Sequence, residues 1–148
     1  VLDSVEFRVS SEPGSPATLE PVVGGRPLTG LVVAYEQVQG YVPAGRYGGL
    51  VPAHFRLGDL PTYLRGEGPA GLLAPGTAWL LACDCGELGC WPLEATVTVT
   101  DAVVTWSGFR QPHRPAWTYD GLGPFAFDRA SYDAAAAEAA VALGGSGS

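Results

Sequence analysis

From Val5 to Ser10 the chain alternates apolar Val5, Phe7 and Val9 with polar Glu6, Arg8 and Ser10, the period-two pattern of a strand with one buried face. Residues 11–18 carry Pro13, Gly14 and Pro16 and predict a loop, residues 19–23 a returning strand, and Gly24-Gly25 the turn after it. The period then changes. Leu28, Leu31, Val32 and Tyr35 recur at helical spacing, which predicts a short helix ending near Gln39 and Gly40; Val32-Val33 argues locally for a strand instead. Residues 40–76 are dense in glycine and proline and predict irregular connections, with a turn or two of helix within residues 55–64.

Residues 77–83 read as a buried strand, and residues 93–100 and 103–109 as a hairpin. Matching apolar faces sets its register: Val99 opposite Val104, Val97 opposite Trp106, and Thr98 opposite Thr105 on the other face. Extended to the open end, that register places Cys90 against His113, beyond the point where Pro92 and Pro112 end regular pairing. Cys83, Cys85, Cys90 and His113 are therefore expected at one end of a three-stranded meander. Residues 120–127 read as a connector that docks Phe125 and Phe127 into the core. The last element is a helix over residues 128–143, with Asp128 as N-cap, Phe127 and Tyr132 as a hydrophobic staple, an Arg129–Asp133 pair, and Gly144 as the stop. Its alanine-rich face, with Tyr132, Ala136, Ala139 and Leu143, is expected to pack on the sheet. The sum is a single α+β domain over residues 1–143: an antiparallel sheet of four or five strands with a C-terminal helix packed on it, followed by a flexible Gly/Ser linker at residues 144–148.

Composition narrows the function classes. A chain of 148 residues, 47% hydrophobic with 15 aromatics among them, can bury a core without metal or disulfide staples. Its net charge of −7, with arginine as the sole basic type besides two histidines, repels phosphate backbones and argues against nucleic-acid binding. No apolar run approaches the roughly 20 residues of a membrane span, and no secretory leader is legible. The expected compartment is the cytoplasm, where three cysteines read as thiols or ligands rather than as a disulfide framework.

The chemistry concentrates in Cys83-Asp84-Cys85-Gly86-Glu87-Leu88-Gly89-Cys90. Three thiols within eight residues, plus His113, make the four sulfur and nitrogen donors of a closed zinc site. Against this stands the single residue separating Cys83 from Cys85, because zinc knuckles space such pairs by two or more. Buried thiols with no ligand role are a rival reading, as are a redox pair and a catalytic cysteine with His113 as base. Asp84 and Glu87 oppose the catalytic reading, since nearby carboxylates disfavour a thiolate. Gln111 and Arg114 on the stiff Gln111-Pro112-His113-Arg114-Pro115 segment, and Tyr47 and His54 in the glycine-rich loop, are candidate binding residues; His54 could also replace His113 as a ligand. The reading is a small binding or interaction module with a zinc knuckle, its partner a protein or small molecule. Its rivals are a Cys/His enzyme at the same place and a metal-free acidic module that binds a basic partner. Phosphate-loop, Gly-x-Ser-x-Gly and His-Glu-x-x-His signatures are absent.

The run Cys-Asp-Cys-Gly-Glu-Leu-Gly-Cys-Trp-Pro-Leu from Cys83, with Val-Thr-Trp-Ser-Gly-Phe from Val104, Gln-Pro-His-Arg from Gln111, Leu-Gly-Pro-Phe-Ala-Phe-Asp-Arg from Leu122 and Tyr-Gly-Gly-Leu-Val-Pro-Ala-His-Phe from Tyr47, resembles a group of small bacterial proteins common in actinobacteria. The resemblance implies a single domain and a GC-rich bacterial source, which the absence of Lys, Ile, Asn and Met also fits. It implies no activity.

Overall fold

In the computed structural model, which describes residues 2–54, 57–69, 73–84 and 91–147, the alternating segment near the start is β1 (Val5–Ser10), paired antiparallel with β2 (Thr18–Val23). Gly24 and Gly25 take φ of 59° and 80°, the left-handed pair that a two-residue hairpin turn needs, and lead into the short β3 (Arg26–Pro27). The helical spacing becomes α1 (Leu28–Gln39), which Gly40 ends at φ 75° with its N–H bonded to Gln37 O. The carboxyl group of Glu20 on β2 accepts from the Thr29 N–H at 3.1 Å, so a neighbouring strand satisfies the start of this helix.

The glycine-rich segment holds β4 (Tyr47–Gly48), one turn of 3-10 helix (Pro52–His54) and α2 (Leu60–Leu64). Asp59 caps α2 by accepting from the Thr62 N–H and hydroxyl, and these bonds hold its carboxyl below the ordinary aspartate value. β5 (Thr77–Cys83), β6 (Leu93–Val99) and β7 (Val103–Arg110) form the expected meander, with Val99 opposite Val104, Thr98 opposite Thr105 and Val97 opposite Trp106. The expected connector before the last helix is instead a strand, β8 (Phe125–Asp128), antiparallel to β7. Its alternation buries Phe127 fully and Phe125 partly, a two-residue period too short to weigh against the glycines before it.

Strands β4 to β8 make one five-stranded sheet in chain order and β1 to β3 a second. Isolated bridges join their margins, Asp3 to Phe127 and Leu19 to Leu50, so the sheets curl around a shared core. Among its fully buried large side chains are Trp106, Tyr63, Tyr132, Phe127 and Leu19. This is an α+β single domain.

Two bulges decide which side chains point inward. Between Thr96 and Glu94, β6 advances two residues while β7 advances three, from Ser107 to Arg110. Gly108, at φ 59°, absorbs the extra residue; a Cβ there would meet Thr96 Oγ1 at 3.3 Å. Parity therefore flips: Val104 and Trp106 face the core before the bulge, and Phe109 and Gln111 after it. Beyond the bulge a continued ladder would set position 91 against 113; Cys90, expected against His113, lies outside the described residues. A second shift, between Trp79 and Leu81 on β5, brings Leu81 opposite Leu93. Trp79's own N–H and C=O both bond the Tyr63 hydroxyl at 2.8 Å, which ties α2 to the sheet.

The last helix, α3 (Arg129–Gly147), packs on β1 and α2 with contacts to β7 and β8. Asp128 caps it, accepting from the Ser131 N–H at 3.0 Å, and Phe127 and Tyr132 meet at 5.6 Å between ring centroids. Tyr132, Ala136 and Ala139 are buried, as their spacing predicts, and Arg129 pairs with Asp133 at 3.4 Å. The expected stop at Gly144 does not occur. Gly144 is not among the glycines with positive φ, and α3 runs through it; backbone hydrogen bonding alone carries the helix across residues that have no side chain to oppose it.

Candidate functional site

One end of the five-stranded sheet gathers most of the predicted site residues that the structure describes. Tyr47 on β4 lies directly opposite Cys83 on β5, which places both side chains on one face with their Cβ atoms about 5 Å apart. That face is the inner one, since both residues are buried. Leu81 pairs with Leu93; two residues further along β5 is Cys83, and two residues before Leu93 is Trp91, 8% exposed. Gln111, turned inward by the β7 bulge and across from Leu93 in that register, adds a second buried polar side chain to this face at 1% exposure. His113 and Arg114 follow on the turn and are exposed. Cys85 and Cys90 lie outside the described residues, as does the side chain of His54, whose backbone sits in the 3-10 turn.

Of the four expected metal ligands, the two described ones, Cys83 and His113, differ in burial. Cys83 is buried and donates its thiol to Asp84 Oδ1 at 3.5 Å, while His113 is exposed and its backbone N–H bonds Gln111 Oε1 at 2.7 Å. β5 ends at Cys83 and Asp84 begins a turn, its N–H bonded to Arg46 O. Among the described residues no three His, Cys, Asp or Glu side chains are grouped to hold a metal ion.

The structure adds residues that sequence reasoning missed. Glu36 is fully buried on α1. Its Oε1 accepts from the Gly45 N–H at 2.9 Å and its Oε2 from the Tyr119 hydroxyl at 2.7 Å. The Tyr119 oxygen lies 3.0 Å from the Tyr47 oxygen. Each phenol has one proton, and Tyr119 gives its own to Glu36, so Tyr47 donates to Tyr119. Burial pushes both phenols well above the ordinary tyrosine value, with the Tyr47 and Glu36 contacts adding to the effect at Tyr119. A signal for Glu36 was present: Leu28, Val32 and Glu36 repeat every four residues, so a carboxyl group continues an apolar stripe.

Aromatic rings wall the same end. Trp91 lies 6.3 Å from Tyr47 and 5.8 Å from Trp117, and Trp117 stacks on Tyr41 at 4.7 Å. The Arg114 guanidinium carbon sits 4.6 Å above the Trp91 ring. Two buried donors here, Trp91 Nε1 and Gln111 Nε2, have no hydrogen-bond partner among the described residues; each such orphan typically costs about 1–3 kcal/mol. Their common type is informative: both are N–H groups and both require an acceptor.

No family model, curated protein or solved structure matches this chain. Function must therefore be argued from the site. No helix among the described residues is long and apolar enough to cross a membrane.

Proposed function

We propose that the protein is a small binding module whose working end is the cysteine end of the sheet. The observation that carries this reading is the inward cluster of Tyr47, Cys83, Trp91 and Gln111, two of whose members hold buried donors with nothing to bond among the described residues. A protein whose core requires nothing further pairs such groups internally. The enzyme reading has less support: Cys83 donates toward a carboxylate, the reverse of the activation a nucleophilic thiol needs.

A zinc knuckle built from Cys83, Cys85, Cys90 and His113 is the second part of the reading. It is favoured by the thiol of Cys83 arriving at the end of β5 two residues before Cys85 in sequence, with His113 on the turn after β7. A thiol-rich knuckle belongs in a reducing compartment, and the cytoplasm is the proposed one. Elemental analysis of protein purified without chelator tests it. About one zinc per chain, reduced in Cys90→Ser, is the expected result for a four-ligand site. Metal-free protein with an unchanged fold would remove zinc from the proposal and leave the binding reading standing on the orphaned donors.

A further inference from the structure

We propose that the cysteine end of the sheet recognises a carboxylate, held by the indole N–H of Trp91, the side-chain amide N–H of Gln111 and the guanidinium of Arg114. The inference rests on the binding-module reading and names its ligand class; zinc is not required for it.

The donor identities are fixed by the structure. Indole can only donate. Gln111 could in principle present either end of its amide, but its Oε1 takes the His113 N–H at 2.7 Å, so the unpartnered atom is the NH2 group. Both side chains are more than nine-tenths buried, and both lie at the open end of the β6–β7 hairpin, Gln111 across from Leu93 and Trp91 two residues before Leu93. Their missing partner must bring acceptor oxygen into that place.

Arg114 supplies the charge. Among the described residues Arg8, Arg46, Arg65, Arg110 and Arg129 each pair with an Asp or Glu. Arg26 and Arg114 meet no carboxyl group there; the Arg114 fork touches the His113 carbonyl at 3.4 Å and its plane rests over Trp91. In a chain of net charge −7, an arginine with no acidic neighbour among the described residues, stacked on the ring whose N–H lacks an acceptor among them, is poised for an anion with planar oxygens. A cationic ligand is excluded by the same stacking, since Arg114 already covers the Trp91 face. One guanidinium and two neutral donors match a single negative charge shared by two oxygens better than a phosphate dianion, which the acidic chain would repel.

The indole N–H signals of the full chain, four in number for its four tryptophans, provide the test, with Trp91 assigned through Trp91→Phe. Acetate, acetamide and inorganic phosphate are titrated separately through the millimolar range, each with and without EDTA. The expected result is a saturable downfield shift of the Trp91 signal with acetate and none with acetamide, unchanged by EDTA. Arg114→Ala, a substitution at an exposed side chain, weakens acetate about tenfold, the scale of one lost charge-assisted bond. An absent shift, an equal response to acetamide, or a response to phosphate alone would overturn the proposal. So would a shift abolished by EDTA, which would place the carboxylate on a metal. Zinc content is read independently, so its failure and the failure of the carboxylate site are separate results.

Discussion

Trp106 and Trp91 are both buried aromatic rings on the inner side of the same hairpin, and their N–H groups meet opposite fates. Trp106, on β7, donates its indole N–H to the Tyr132 hydroxyl at 3.0 Å, and that hydroxyl donates in turn to Leu64 O. Phe127 stands edge-on at 4.8 Å, with Phe7 and Tyr132 close by. Burial pushes the Tyr132 phenol well above its ordinary value, which keeps its proton in place. Trp91, ahead of β6, has rings and a guanidinium around it and nothing on its N–H. One end of the barrel-like core is saturated and serves stability. The other leaves donors open, the arrangement expected where a partner completes the bonding.

Truncating the saturated end should have the largest effect. Trp106→Ala removes a ring in contact with three other aromatics and should cost about 3–5 kcal/mol in urea unfolding. A loss below about 1 kcal/mol would show that the aromatic cluster is not the keystone its burial indicates. Tyr132→Phe is the sharper cut, because it keeps the ring and deletes the hydroxyl. It orphans the Trp106 N–H and the Leu64 carbonyl, so the Trp106 end comes to resemble the Trp91 end. About 1–3 kcal/mol is the expected loss, read as a shifted midpoint at unchanged slope.

A smaller effect follows from acid. Asp128 caps the helix that carries Tyr132, and bonds from the Ser131 N–H and hydroxyl lower its folded value below the ordinary 3.8. A lowered folded value contributes stability that is fully present above the unfolded value and is lost as pH falls through the folded one. Thermal stability should therefore fall below about pH 3.8 in the native chain. In Asp128→Asn, which keeps an acceptor but does not titrate, that component should vanish. An identical acid profile in the two proteins would show that the cap carries none of the acid sensitivity.

The contrast between the two ends also marks where the sequence was legible. Trp106, Val97, Thr98 and Thr105 were placed correctly because apolar alternation sets register over an unbroken stretch. Gln111 is legible as a candidate binding residue but its inward side is not, since a bulge at Gly108 changes the parity of everything after it and glycine signals freedom without stating how it is used. The α1 stripe was read through Leu28, Leu31, Val32 and Tyr35; Glu36 lies on its buried edge and was passed over because its type suggests a solvated face. Tyr119, Trp117 and Tyr41 come together from segments far apart in the chain, and no local pattern announces that. Fold class followed from periodicity, whereas the polar cluster depends on tertiary placement.

The smallest effect is the most discriminating. Trp91→Phe removes a buried N–H that bonds nothing, so the small loss of packing is offset by relief of an unsatisfied donor, and stability should stay within about 0.5–1 kcal/mol of the native chain. The same substitution at Trp106 breaks a made bond inside a filled cluster and should cost about 2 kcal/mol more. Equal losses at the two positions, measured side by side in urea, would mean that the Trp91 N–H is paired in solution after all, and the distinction between a saturated and an open end would collapse. Unequal losses in the expected order would leave Trp91 as a residue retained at no gain to the fold, which is the energetic mark of a group kept for a ligand.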